Sequence, residues 1–238
     1  MKSSRLYPLS CLLLASGLAA CTGETAKTGA EGAAPASTPA QAQPAPKEAL
    51  IAMREFIAAQ AIDRGKPGWK TALPKPPRLE FDLSKTYLWH LQTSEGPIVV
   101  RLMPDIAPMH VSSTIYLSEL GYYDGLKFHR VIPSFMAQGG CPLGSGTGNP
   151  GYKYEGEFSP KARHDRPGLL SMANAGSGTD GSQFFLTFVP YPSLDDKHTI
   201  FGEVVEGMEN LKKLEASGSP SGKTKKPLLI DTARVLVK

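Results

Sequence analysis

The sequence predicts a mainly β fold, a barrel or a sandwich, on three observations. From Tyr87 onward, short strand-like runs follow one another at close spacing with turns between them. Only two stretches in that region read as helix, and no helix follows each strand as a parallel α/β sheet would require. The first pair is a hairpin: TYLWHLQT, the turn SEGP, then IVVRLM. Asp105 is a candidate cap for a helix from Ala107 to Leu120, with Pro108 in its first turn and Gly121 at its end. KFHRVI, FMAQGG, LLSMA, QFFLTF and TIFGEVV are the next strand candidates. Glu206 to Ala216 reads as the second helix, and LLIDTARVLVK as a closing strand. The Gly-rich stretch from Gly139 to Gly151 is a long loop suited to flank a binding groove.

Before this domain, at 85–238, the chain changes character twice. Residues 1–20 open with Lys2 and Arg5, continue with the apolar run Leu9 to Ala15, and end in small residues: a secretory signal peptide with a core too short to span a bilayer. The ending Leu18-Ala19-Ala20-Cys21 resembles the lipobox of bacterial lipoproteins, which implies lipidation of Cys21 and a membrane-anchored protein facing the periplasm or exterior. Thr22, in place of an aspartate, leans towards the outer membrane of a Gram-negative cell. Residues 21–47 are Ala, Pro, Thr, Gly and Gln with almost no large apolar residue, the composition of a disordered tether spanning about 30 Å. Within 48–84, EALIAMREFIAAQAIDR reads as a helix from Glu48 to Arg64 stopped by Gly65, with Leu50, Met53, Ile57 and Ala61 as its apolar stripe. It has three possible fates: docking on the domain, pairing with a partner, or cradling unfolded clients. A Pro-rich stretch, Pro67 to Pro77, joins it to the domain.

The formal charge of +4 falls to +2 once residues 1–20 are removed, and no basic stripe interleaves with aromatics, which excludes nucleic acid as a partner. Of the three cysteines, Cys11 goes with the signal peptide and Cys21 with the anchor, leaving Cys141 alone and no disulfide framework. GTGNPG at 146–151 contains Pro150 and opens no helix after a strand, so it is not a dinucleotide loop. GSPSGKT at 218–224 is one residue short of a phosphate loop. The five histidines form no zinc-binding grouping.

The chemistry concentrates in two blocks. YDGLKFHRVIPSFMAQGG at 123–140 sets Arg130 a few positions ahead of Phe135, Met136 and Gln138; SMANAGSGTDGSQFFLTF at 171–188 adds Asn174, Gln183 and Phe185. A cation beside an apolar pocket, with amides to hold a backbone, suits a site that grips an apolar ring and bonds the adjoining peptide.

FHRVIPSFMAQGG, GTGNPGYKYEGEF, PGLLSMANAGSGTDGSQFFLT and LDDKHTIFGEVVEGM, taken in order, resemble the cyclophilin family of peptidyl-prolyl cis/trans isomerases from Tyr87 to Lys238. The resemblance implies a closed eight-stranded antiparallel barrel capped by two helices, with a proline-binding groove on its outer face. It places the catalytic arginine at Arg130 and the ring pocket at Phe135, Met136, Phe185 and Leu194, with His198 at its edge. Gln138 would bond the substrate, while Ala173, Asn174 and Gln183 line the extended peptide; His129 is a weaker candidate. Ser193 stands where many eukaryotic members carry tryptophan, so cyclosporin binding is not implied. The expected partners are proline-containing unfolded or nascent exported polypeptides and, through the anchor, a membrane. The domain is expected to be monomeric and to need neither metal nor cofactor. The rival reading is a non-catalytic peptide-binding or holdase module; an outer-surface scaffold is a third, with no motif behind it.

Overall fold

The structure is a computed structural model and describes residues 48–238. The signal peptide, Cys21 and the tether at 21–47 lie outside the described residues.

Nine strands form one antiparallel sheet: β1 (Tyr87–Thr93), β2 (Gly96–Leu102), β3 (Leu126–Lys127), β4 (Arg130–Ile132), β5 (Met136–Gly139), β6 (Leu169–Met172), β7 (Phe184–Thr187), β8 (Ile200–Glu206) and β9 (Leu229–Val237). Their order is β3-β9-β1-β2-β8-β6-β7-β5-β4, so the two edge strands are consecutive in the chain. The sheet therefore curls until its ends nearly meet. The predicted run KFHRVI is split at Phe128–His129: its first half pairs with β9 and its second with β5, giving nine strands where eight were expected. The outer edge of β4 is covered by a turn, through Val131 N–H to Gly222 O (2.9 Å) and Ser219 N–H to Val131 O (3.1 Å). A loop thus completes the ring and shields the edge from pairing with other chains.

Inside the curl the alternation of each strand supplies the core: Trp89, Leu91, Ile98, Val100, Leu170, Leu186 and Val235 point inward. Helix α2 (Pro108–Glu119) packs against the sheet, and nine of its residues, His110 to Ser118, are buried. The cause is a second cover. Helix α1 (Ala49–Ala59) lies on α2, with Met53 fully buried, Phe56 edge-on to Tyr116 at 5.7 Å, and Arg54 paired to Glu119 at 2.6 Å. The docked fate is thus the one the fold adopts. The helix ends at Ala59, not Arg64: Gln60 turns extended and brings Ile62 back onto the core, which a continued helix would not do. Leu73 and Leu79 of the Pro-rich lead-in are also core residues, tied down by Leu73 N–H to Pro150 O and Leu79 N–H to Ser112 Oγ, both 2.9 Å. Gly151 is required at that crossing, because a Cβ there would meet the Leu73 nitrogen at 2.6 Å. The stretch at 48–86 is therefore part of the folded body. Met53→Ala should cost about 2–3 kcal/mol, read as a lower midpoint in thermal unfolding; an unchanged midpoint would make α1 a loose appendage.

Two helix starts differ from expectation. Asp105 does not cap α2; the Glu157 carboxylate does, from a distant loop, accepting from Met109 N–H (3.1 Å) and His110 N–H (3.0 Å). A carboxylate satisfies orphan amides and the helix dipole together, and here it comes from outside the local sequence. Helix α3 (Met208–Ala216) begins two residues later than predicted, because Glu206 still pairs with Val99 in the sheet. Gly207 makes the turn at φ +87°, where a Cβ would lie 2.2 Å from Pro97 O.

Candidate active site

Strand register assembles the site. Arg130 on β4 lies opposite Gln138 on β5, Gln138 opposite Phe185 on β7, and Phe185 opposite Ser171 on β6. Residues facing one another across antiparallel strands share a face, as do residues two apart on one strand, so Met136 joins this row. The other face carries Val131, Ala137, Phe184, Leu186 and Leu170, all in the main core. Met136 (1% exposed) and Phe185 (4%) are buried yet lie outside that core. They lie on the face of the sheet turned away from that core, on the same side as Arg130 and Gln138.

Over that floor sits Arg130. Its Nη1 donates to Gln138 Oε1 at 3.2 Å and lies 4.0 Å from the Met136 sulfur, and its Cζ is 5.8 Å from the Phe135 ring centroid, within cation–π range. Gln138 Nε2 donates in turn to Gln183 Oε1 at 3.1 Å, and Gln183 Nε2 to the carbonyls of Gly146 and Gly148, each at 2.8 Å. This amide relay runs from the guanidinium to the Gly-rich loop and holds the fork of an exposed side chain in one orientation. The loop therefore does flank the groove, as a brace. Gln138→Ala should lower kcat/KM roughly three- to tenfold, the worth of one ordinary, partly solvated hydrogen bond, with the melting temperature nearly unchanged. An unaltered kcat/KM would show that the relay does not position Arg130.

Of the remaining candidates, His198 touches this row directly and Ala173 and Asn174 share a cleft with Gln138. His198 meets Phe185 edge-on at 5.5 Å and donates from Nδ1 to Met172 O at 2.9 Å, leaving Nε2 free to accept when the ring is neutral. Leu194, half-buried, closes a 3₁₀ turn at Pro192–Leu194, and its carbonyl accepts from His198 N–H at 3.1 Å. Ala173 and Asn174 line a polar cleft of about 330 Å³ with Gln138 and Gln183. The Asn174 side chain is spent on the fold, donating to Lys197 O at 2.9 Å and accepting from Gly176 N–H at 3.2 Å. The Gln183 amide is likewise committed, so its part in this structure is to orient Gln138. His129 packs under Gly146 and has no partner for either ring nitrogen; burial, then Lys127 and Arg130, pull its pKa below the usual histidine range. It is a neutral spacer here.

Residues 88–235 match the family described as cyclophilin type peptidyl-prolyl cis-trans isomerase/CLD. The chain belongs to the cyclophilins. A peptidyl-prolyl cis-trans isomerase of Helicobacter pylori is 45% identical over 138 residues, covering 57% of this chain and 85% of that one. CYP18-2 of Arabidopsis thaliana is 48% identical over 127 residues, covering 52% of this chain and 77% of its own length. In Rhizopus delemar, cyp15 is 49% identical over 141 residues, 58% of this chain, but the match spans only 22% of that longer protein. Among solved structures, a Cryptosporidium parvum cyclophilin superposes with a TM-score of 0.61 at 31% identity, covering 63% of this chain and 98% of that one. The same protein in the presence of the dipeptide Ala-Pro gives 0.60.

Two supports in this cyclophilin escaped the sequence reading. His164 stacks on Phe185 at 6.2 Å while bonding Ser171 Oγ (3.0 Å) and Asp195 Oδ1 (2.9 Å), fixing the pocket floor from behind. Burial lowers its pKa, with Asp195 opposing, so the ring braces without a lasting charge. Tyr191 packs on Phe135 with centroids 4.5 Å apart. The only signal for it in the sequence is an aromatic set between two prolines.

Proposed function

We propose that this cyclophilin isomerises X–Pro bonds of exported polypeptides in the cell envelope, as a monomeric domain tethered to the membrane through a lipidated Cys21. One observation carries the catalytic part: a preoriented guanidinium, held by Gln138, beside the buried Met136 and Phe185 and the ring of Phe135.

The barrier to rotating a peptide C–N bond, about 18–20 kcal/mol, comes from delocalising the nitrogen lone pair into the carbonyl. In the twisted state the lone pair localises on the prolyl nitrogen, which becomes a stronger acceptor. The Arg130 guanidinium then interacts more strongly with the twisted state than with either planar isomer, and only such a differential accelerates the step. Phe135, Met136 and Phe185 grip the ring while one side of the bond turns against the other. Raising a rate from about 10⁻² to about 10³ s⁻¹ needs about 7 kcal/mol, within reach of a charged hydrogen bond plus positional restraint. The chemistry calls for no nucleophile and no redox step.

The location rests on the sequence features of residues 1–47: the signal-like start, the LAAC ending and the Ala/Pro-rich tether. No helix among the described residues is long and apolar enough to cross a membrane. A protease-free isomerisation assay on a proline tetrapeptide tests the activity, and catalysis at background rate would leave a binding module. Fractionation tests the anchor: Cys21→Ala should move the protein from the membrane to the soluble fraction.

A further inference from the structure

We propose that Tyr191, together with Phe135, forms an aromatic shelf that binds an apolar or aromatic side chain flanking the substrate's proline; this rests on the isomerase reading above and names a specificity element of the same site. Tyr191 is 39% exposed although its ring lies 4.5 Å from Phe135 at an interplanar angle of 42°. Its hydroxyl makes no hydrogen bond among the described residues, so a need to satisfy a polar group does not explain where the ring sits.

The backbone around it is stiff. Pro190 and Pro192 fix φ on either side, Tyr191 N–H donates to His164 O at 2.7 Å, and Leu194 N–H returns to Tyr191 O at 3.1 Å. His164 is itself buried and bonded to Asp195 and Ser171. The ring is thus held ready before any ligand arrives, which removes most of the ordering cost of a contact. Ser193, two residues on, is exposed and too small to cover it.

Its place relative to the rest of the site gives it a use. The Phe135 ring has the Arg130 guanidinium at 5.8 Å and the Tyr191 ring at 4.5 Å, while the Gln138–Gln183 relay and its polar cleft are built from other residues. A peptide with its prolyl ring held by Met136, Phe185 and one side of Phe135, and its backbone along the Gln183 cleft, would leave the pocket past Tyr191. There the next side chain meets the Tyr191 ring and the part of Phe135 that the prolyl ring leaves open, and a glycine would cover neither. Such ring contacts are worth roughly three- to tenfold in affinity. The shelf touches a flanking group and not the rotating bond, so it acts on planar and twisted states alike and belongs in KM.

The test uses two tetrapeptide series, one varying the residue before proline and one the residue after, each with glycine, leucine and phenylalanine. The protein is compared with Tyr191→Ala and Tyr191→Phe. In one series the unaltered protein should favour leucine and phenylalanine over glycine by about fivefold in kcat/KM, carried by KM. Tyr191→Ala should erase that ratio and Tyr191→Phe should keep it. A ratio that survives in Tyr191→Ala overturns the shelf, as does an unaltered protein with no preference in either series. A loss equal on all peptides overturns it too, and reduces Tyr191 to a prop for Phe135. Titrating the same peptides by chemical-shift perturbation reads the preference as affinity, so absent turnover would sink the isomerase reading alone.

Discussion

Replacing Arg130 with alanine should lower kcat/KM for prolyl isomerisation by about a hundredfold, the order lost when one preorganised donor to developing charge is removed. The loss should fall on kcat, because the guanidinium contributes most when the prolyl nitrogen regains its lone pair. Stability should hardly move. Arg130 is exposed, and its side-chain hydrogen bonds, to Gln138 at 3.2 Å and to the Met136 sulfur at 4.0 Å, are long. Arg130→Lys separates charge from shape: lysine keeps the cation but not the planar fork, and should recover only a small part of the rate. Stopped-flow isomerisation on a proline tetrapeptide, with circular dichroism as the folding control, measures both variants. A loss below about threefold in Arg130→Ala would remove the guanidinium from the reaction and leave the pocket as a binding surface.

Arg130 was legible because it sits in a contiguous run with Phe135, Met136 and Gln138, so local sequence carried most of the geometry. Strand period did the rest: Met136 and Gln138 are two apart and share a face, and the pairing with Phe185 follows from the sheet. Elements with matching propensity and packing were found with small errors, among them the β1–β2 hairpin and α2 with its Pro108 start and Gly121 stop. Features decided by distant partners were not legible. Glu157 caps a helix 47 residues away, and no local pattern marks it. The break of KFHRVI exists because one stretch serves both ends of a curled sheet. Helix α1 ends where Ile62 finds the core, although good helix formers continue to Arg64: tertiary contact overrode propensity. The partners of the Gln183 amide were not legible either: only the fold brings its donors to the carbonyls of Gly146 and Gly148.

The Glu157 cap belongs to a buried network whose removal should carry the largest stability cost in the molecule. His110 is fully buried, with Nδ1 2.7 Å from Glu157 Oε2 and Nε2 2.9 Å from Asp180 Oδ2. Both ring nitrogens face carboxylates, and only the imidazolium donates twice. Burial disfavours the cation, but hydrogen bonds and charge from Asp180 and Glu157 outweigh it and raise the His110 pKa above the ordinary 6.5. Burial would likewise raise Glu157, yet His110 and the α2 amides hold it below its ordinary 4.5. A raised histidine stabilises most below 6.5 and loses that stabilisation as pH rises through its folded value. A depressed carboxylate stabilises above 4.5 and loses it as pH falls through its folded value. The melting temperature should therefore peak between about pH 4.5 and 6.5 and decline on the alkaline side as His110 deprotonates. His110→Leu should cost about 3–5 kcal/mol near pH 6, because it leaves two carboxylates facing each other without their cation. It should also flatten the alkaline decline. Asp180, which exchanges both backbone hydrogen bonds with Tyr154, lies three residues before Gln183, so loosening this network should slacken the relay that orients Arg130. Thermal unfolding from pH 4 to 9 for both proteins measures the effect. A flat profile in the unaltered protein, or a His110→Leu variant of equal stability, would mean that the ring is neutral, donating to one carboxylate and accepting from the other as a protonated carboxyl.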